Sequence, residues 1–245
     1  MNKILILCIA LTLLACQSKK EKKSAEHKQE QLTIAFKGIK KLFIDEMWQL
    51  NPIAASYQGV HDYDAELPIP NQAREQAQLD FSAKWLKKLE AFEYDSLNDN
   101  DKIDYHLMEE ELNSMAFYSQ QFKQNEWDPS SYNLGGAFFQ VINYQKHDLN
   151  KRLENLNVKL DKVEAFYQQA QQNIKKPTKV HTELAVQQLE GSKSIFNKTL
   201  LDSLSKSSLS EDFKTAFQEK VNQACLLYTS PSPRDKRQSR MPSSA

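Results

Sequence analysis

His61-Asp62-Tyr63-Asp64 put a base, two carboxylates and a phenol into four consecutive positions. Such a set could move a proton or orient a polar substrate, and loops carried by a rigid scaffold are where functional side chains gather. The same residues have a structural use: Asp62 or Asp64 can cap the loop while Tyr63 docks on a core. The other histidines are His27, His106, His147 and His181. His106 and Glu110, four apart, could share a metal with Asp104 or Glu109 nearby, although a surface ion pair is the commoner explanation of that spacing. His181 and Glu183 make no better site. The sequence contains no His-Glu-x-x-His pair, no glycine-rich phosphate loop and no Gly-x-Ser-x-Gly elbow. No catalytic, cofactor-binding or metal-ligating residue is therefore assigned, and His61 to Asp64 stand as a candidate cleft-facing loop.

Positioning that loop falls to helices. Leu32, Phe36, Ile39, Phe43, Met47 and Leu50 recur at steps of three and four, which predicts one apolar stripe on a long helix. Asn51-Pro52 ends it, since a residue before proline is pushed out of the α region. A short helix through Ala54, Ala55 and Tyr57 should stop at Gly59. The stretch Val60 to Pro70 has two prolines and no helical period, so it reads as irregular. Asn71 can cap the next helix, with Ala77, Phe81, Trp85, Leu89 and Phe92 inward, and Asn98 or Asn100 the one after. Ile103, Leu107, Leu112, Met115 and Phe122 would form the apolar side of that helix. A loop over 125–136 precedes an apolar run from Ala137 to Tyr144. Two long helices, about Asp148–Ile174 and Thr178–Ser205, are expected next, separated by Pro177, and Ser210 caps a last one. The expected fold is all-α, an array of long amphipathic helices, incomplete at the C-terminus.

The two ends read differently. Lys3 and the eleven-residue apolar run Ile4 to Leu14 fit a secretory signal, and the run is too short to span a bilayer. Leu13-Leu14-Ala15-Cys16 resembles the bacterial lipobox, in which the Cys16 thiol takes the lipid. Residues 1–15 are then the signal peptide, and residues 16–30, nearly without apolar side chains, a flexible tether. The membrane becomes a partner through the lipid on Cys16, and Gln17 after it fits sorting to the outer membrane of the cell envelope. At the other end, 26 Lys and 2 Arg precede residue 225, whereas the last 21 residues hold 3 Arg, 1 Lys and 3 Pro. Cys225–Asp235 reverse-translates to a sequence that resembles the transposase end and adapter of DNA library preparation. Ser239–Ala245 does so for the adapter that follows. Residues 225–245 are thus expected to be an adapter-derived tail, leaving 31–224 as the native helical part. Gln17 to Ala224 carries 27 Lys and Arg against 31 Asp and Glu, a net of −4. That balance argues against nucleic acid, which would want a clustered basic face.

Leu50 to Pro68, LNPIAASYQGVHDYDAELP, resembles the opening signature of the exported bacterial family filed as domain of unknown function 885. Asp99 to Leu112, DNDKIDYHLMEEEL, is similar to its second signature, and Trp127-Asp128-Pro129 with Tyr132 to a weaker third. The resemblance implies a mostly helical fold in a longer chain, whose downstream half carries a His-Glu-x-x-Pro-Gly-His type motif. It further implies a zinc-dependent, peptidase-like hydrolase acting on peptides. That motif is missing here, so no catalytic residue carries over; zinc is expected only in the full-length parent, and this fragment is expected to be inactive. Its partners would be the missing C-terminal half and, for the parent, a peptide substrate. An open apolar face on Ser210–Ala224 should then await that half. The alternative is a non-catalytic helical binding or scaffolding lipoprotein.

Overall fold

A computed structural model describes residues 27–229, and every regular element among them is helical. In chain order these are α1 (27–50), α2 (Pro52–Tyr57), α3 (Gln72–Leu89) and α4 (Asp99–Phe117), which runs into a π-helical turn at Tyr118–Phe122. Then come α5 (Gln124–Trp127), a 3₁₀ turn (Pro129–Tyr132), α6 (Gly135–Asn143), α7 (Leu149–Leu160) and α8 (Val163–Asn173). α9 (Lys179–Ser194), a second π turn (Ile195–Leu200) and α10 (Leu201–Ser205) follow without a break, and α11 (Glu211–Thr229) closes the set. Cys16 and residues 230–245 lie outside the described residues. The tether expected over 16–30 is shorter than expected at its C-terminal end, because His27–Glu30 already form the first turn of α1. Adding a turn to an existing helix is far cheaper than nucleating one, and Gln31 bonds back to His27.

The chain divides into two compact units. One holds the described residues up to Glu46 together with Leu79–Ala116. Its core is aromatic: Phe36 meets Phe92 edge-on at 5.1 Å, and Phe43 meets Trp85 at 5.4 Å. The fully buried Trp85 is no orphan, since its indole N–H donates to Glu46 Oε2 at 3.0 Å. α4 presents a different face from the one its leucines suggest. Ile103 and Leu107 are 58% and 64% exposed, whereas Asp101, Met108 and Leu112 are buried. Asp101, Tyr105, Met108 and Leu112 form a competing stripe with steps of four, three and four. Lys40 decides between them by donating to Asp101 at 2.7 Å and Asp104 at 2.5 Å, while Asn98 caps the helix and also bonds Asp101.

The second unit comprises Met47–Gln78 and the chain from Phe117 onward. Its core draws Phe138, Val141 and Ile142 from α6, Leu153, Leu156 and Leu160 from α7, and Val163, Phe166 and Ala170 from α8. Phe196 and Leu200 of the second π turn and Phe217, Val221 and Ala224 of α11 complete it. The helix expected over 148–174 is broken at Asp161–Lys162. Burying Leu160, Val163 and Phe166 needs two successive steps of three, which a straight helix at 100° per residue would rotate away from the core. The break re-aims α8. The open apolar face expected on Ser210–Ala224 is also absent, because α11 lays Phe217, Val221 and Ala224 onto this core. Cys225 continues the helix and packs half-buried against the same core.

Candidate functional site: a buried polar centre and an open groove

The irregular segment after α2 is pinned at both ends of its polar run. Gly59 turns the chain with φ of +79°, a conformation costly for any residue with a Cβ, and the Tyr144 hydroxyl closes over it. Leu67, 1% exposed, anchors the segment in the core. Between them His61 and Asp64 turn inward and are 2% and 1% exposed, while Asp62 is exposed and Tyr63 half-buried.

Asp64 is the hub of this centre. Its Oδ1 accepts from the buried Ser56 hydroxyl at 2.5 Å, and its Oδ2 lies 2.8 Å from His61 Nδ1. A buried carboxylate needs such partners, because leaving it bare would cost several kcal/mol. The His61 ring stacks on Tyr144 at 3.9 Å, and His147 stands edge-on at 6.4 Å. His61 Nε2 is buried without a hydrogen-bond partner. Ser56, Asp64 and His61 are residue types of a nucleophilic triad, but their order is wrong for one. The serine donates to the carboxylate instead of the imidazole, so the imidazole cannot take its proton.

Lys159 of α7 adds a cation to this region. The side chain is 0% exposed and its Nζ lacks a hydrogen-bond partner. Burial pushes its pKa down to about 8, against the attraction of Asp64 and Glu66, with Lys162 adding to the fall.

Outside the centre lies an open groove of about 740 Å³. Leu50, Pro52, Leu67, Pro68 and Ile69 give it apolar walls, and Tyr63, Arg74 and the Lys162–Glu66 pair, at 2.8 Å, give it polar ones. Of the four candidate loop residues, Tyr63 lines this groove. Arg74 sits in the first turn of α3, which Asn71 caps by accepting from the Arg74 N–H at 3.0 Å. Its guanidinium donates to Leu50 O at 2.8 Å and Asn51 Oδ1 at 3.1 Å, both neutral. Burial holds its pKa below the ordinary arginine value.

Elsewhere the histidines are surface groups. His106 bonds the Tyr94 hydroxyl at 2.9 Å and approaches Glu109 at 3.4 Å, not Glu110, and His181 bonds its helix cap Thr178 at 2.6 Å. Among the described residues no group of three or more His, Cys, Asp or Glu could hold a metal ion. The described residues therefore do not supply a zinc site. No described helix is long and apolar enough to cross a membrane.

Residues 52–230 match the family described as "Bacterial protein of unknown function (DUF885)". The chain belongs to this family. A solved structure described as "The structure of a putative lipoprotein of unknown function from Shewanella oneidensis" is 40% identical, with a TM-score of 0.76. The match covers 79% of this chain and 36% of that one, so this DUF885 chain spans about a third of its relative's length. No curated protein matches it. The Asn-Pro turn, the Gly59 stop and the Tyr-Asp and Leu-Pro pairs of the first signature are thus the residues that build the polar centre and one wall of the groove. Sequence reasoning missed Ser56, Tyr144, Lys159 and Arg74. For Lys159 a signal existed: it falls between Leu156 and Leu160 on the stripe Leu153, Leu156, Leu160, Val163.

Proposed function

We propose that this chain is the N-terminal helical part of a lipid-anchored cell-envelope protein whose full-length form is a zinc-dependent, peptidase-like hydrolase. The observation that carries the reading is length: a 40% identical relative matches over most of this chain, yet the match takes up 36% of that relative. The zinc ligands belong, on this reading, to the portion that follows, and the helices described above wall the cleft that portion completes. The lipoprotein description of the relative supports attachment through Cys16, after removal of residues 1–15. The same reading treats 225–245 as translated adapter. The helix that runs to Thr229 and the family match to residue 230 both overlap the start of that stretch.

A second reading is a helical binding or scaffolding lipoprotein with no chemistry, favoured by a groove whose polar groups include no metal ligand set. The source locus, read across codon 224, separates them. An open frame that yields a longer protein with one equivalent of zinc and peptide hydrolysis supports the enzyme. A stop codon within a few dozen codons, or a longer product without zinc, refutes it. The adapter bases found in the genome itself would refute the adapter assignment.

A further inference from the structure

The groove contains a cation that nothing in the described chain neutralises. Arg74 has five N–H donors by its chemistry, and its bonded partners are a backbone carbonyl and an amide oxygen. The other cation lining the groove, Lys162, is already paired with Glu66. Removing a guanidinium from water without an anion is unfavourable, and the first turn of α3 adds its own positive potential at the same place. The apolar surface in the groove, from Leu50, Pro52, Leu67, Pro68 and Ile69, lies beside a charge that calls for an anion.

We infer that the groove binds the carboxyl end of an apolar peptide, with the terminal carboxylate on Arg74 and the last side chains on the Leu67-Pro68-Ile69 wall. Charge and shape choose this occupant together. A carboxylate matches the planar guanidinium fork better than a point cation would. Gln49, Tyr63 and Asn71 lie among the apolar lining residues and can bond the amides of a peptide; a fatty-acid tail would leave them covered and unbonded. The inference does not depend on whether the longer protein is a hydrolase, since it concerns binding by residues of this chain alone.

Titration calorimetry on the purified chain tests it with three probes: N-acetyl-Leu-Leu-Leu with a free carboxylate, the same peptide as its C-terminal amide, and octanoate. The expected result is binding of the free acid at least tenfold tighter than the amide, with octanoate weaker than the acid. Arg74→Gln should remove the acid–amide difference, and Arg74→Lys should restore part of it. Because the acid–amide comparison is made on the unaltered chain, it decides the matter even where Arg74→Gln fails to fold. Equal affinity for acid and amide, no binding of either, or binding of octanoate alone overturns the inference.

Discussion

Replacing Lys159 by methionine should make the protein more stable, and the size of the gain should depend on pH. The wild-type ammonium is buried in the second unit with no hydrogen-bond partner, and its pKa falls from 10.5 to about 8. At about 1.4 kcal/mol per tenfold, that gap corresponds to about 3 kcal/mol of folding free energy forgone near neutral pH. The sign follows from proton binding. Between about 8 and 10.5 the unfolded chain holds a proton that the folded chain has released, so wild-type stability relative to Lys159→Met rises with pH across that window. The advantage of Lys159→Met should therefore be about 3 kcal/mol near pH 7 and below about 1 kcal/mol near pH 10. Met fits the space with similar length and no charge to desolvate. Urea unfolding of both proteins at the two pH values measures the difference, and the titration of all other groups cancels. A methionine variant less stable than wild type at neutral pH, or a pH-independent difference, would refute the reasoning. It would mean that Asp64 and Glu66 hold the ammonium as a net favourable pair.

Ser56→Ala removes the hydroxyl that bonds Asp64 and should cost about 1–2 kcal/mol in the same urea assay, because a buried carboxylate loses a donor. Gly135→Ala would place a methyl inside the Ser192 hydroxymethyl group and should cost about 1–3 kcal/mol; Gly136→Ala meets only the end of the exposed Tyr57 ring and should cost less, by thermal unfolding of each variant. Lys40→Met strands the buried Asp101 and should cost about 1–3 kcal/mol near neutral pH. Burial opposes the Lys40 charge, but its bonds to Asp101 and Asp104 outweigh that and raise its pKa. The contribution is thus complete below the ordinary lysine value of 10.5 and lost as pH rises through the raised one, which unfolding at alkaline pH can follow.

Where local chemistry alone fixes a boundary, the sequence was sufficient. Asn71, Asn98 and Ser210 cap the helices expected of them, and Gly59 ends α2. Phe36, Phe43, Phe81, Trp85 and Leu89 are buried as their spacing predicts. Reading failed where two faces competed or where the partner was distant in the chain. The choice between the Ile103 and Asp101 faces of α4 rests on Lys40, about sixty positions away, which periodicity cannot see. The polar centre was half legible: His61 and Asp64 stood out as residue types, but their burial depends on Ser56, Tyr144 and the position of α7. Arg74 was invisible because an arginine in a first helical turn looks like ordinary surface until the groove around it is known.

The π turn at Ile195–Leu200 bears on how chains of this kind can change length. A π turn holds one more residue than the α turn it replaces, so it stores a single-residue insertion inside a continuous helix. Deleting an exposed residue there, such as Asn197, would restore ordinary helical pitch and leave everything beyond it on its present face. Leu204 would stay in the core, whereas the same deletion in an ordinary α turn would rotate it away by about 100° and bring a serine or aspartate neighbour in. A relative that lacks the extra residue must therefore carry its apolar positions one place earlier from Leu200 onward. An alignment that puts the gap in the nearby 206–210 connection instead would match buried residues with exposed ones along the whole of α10.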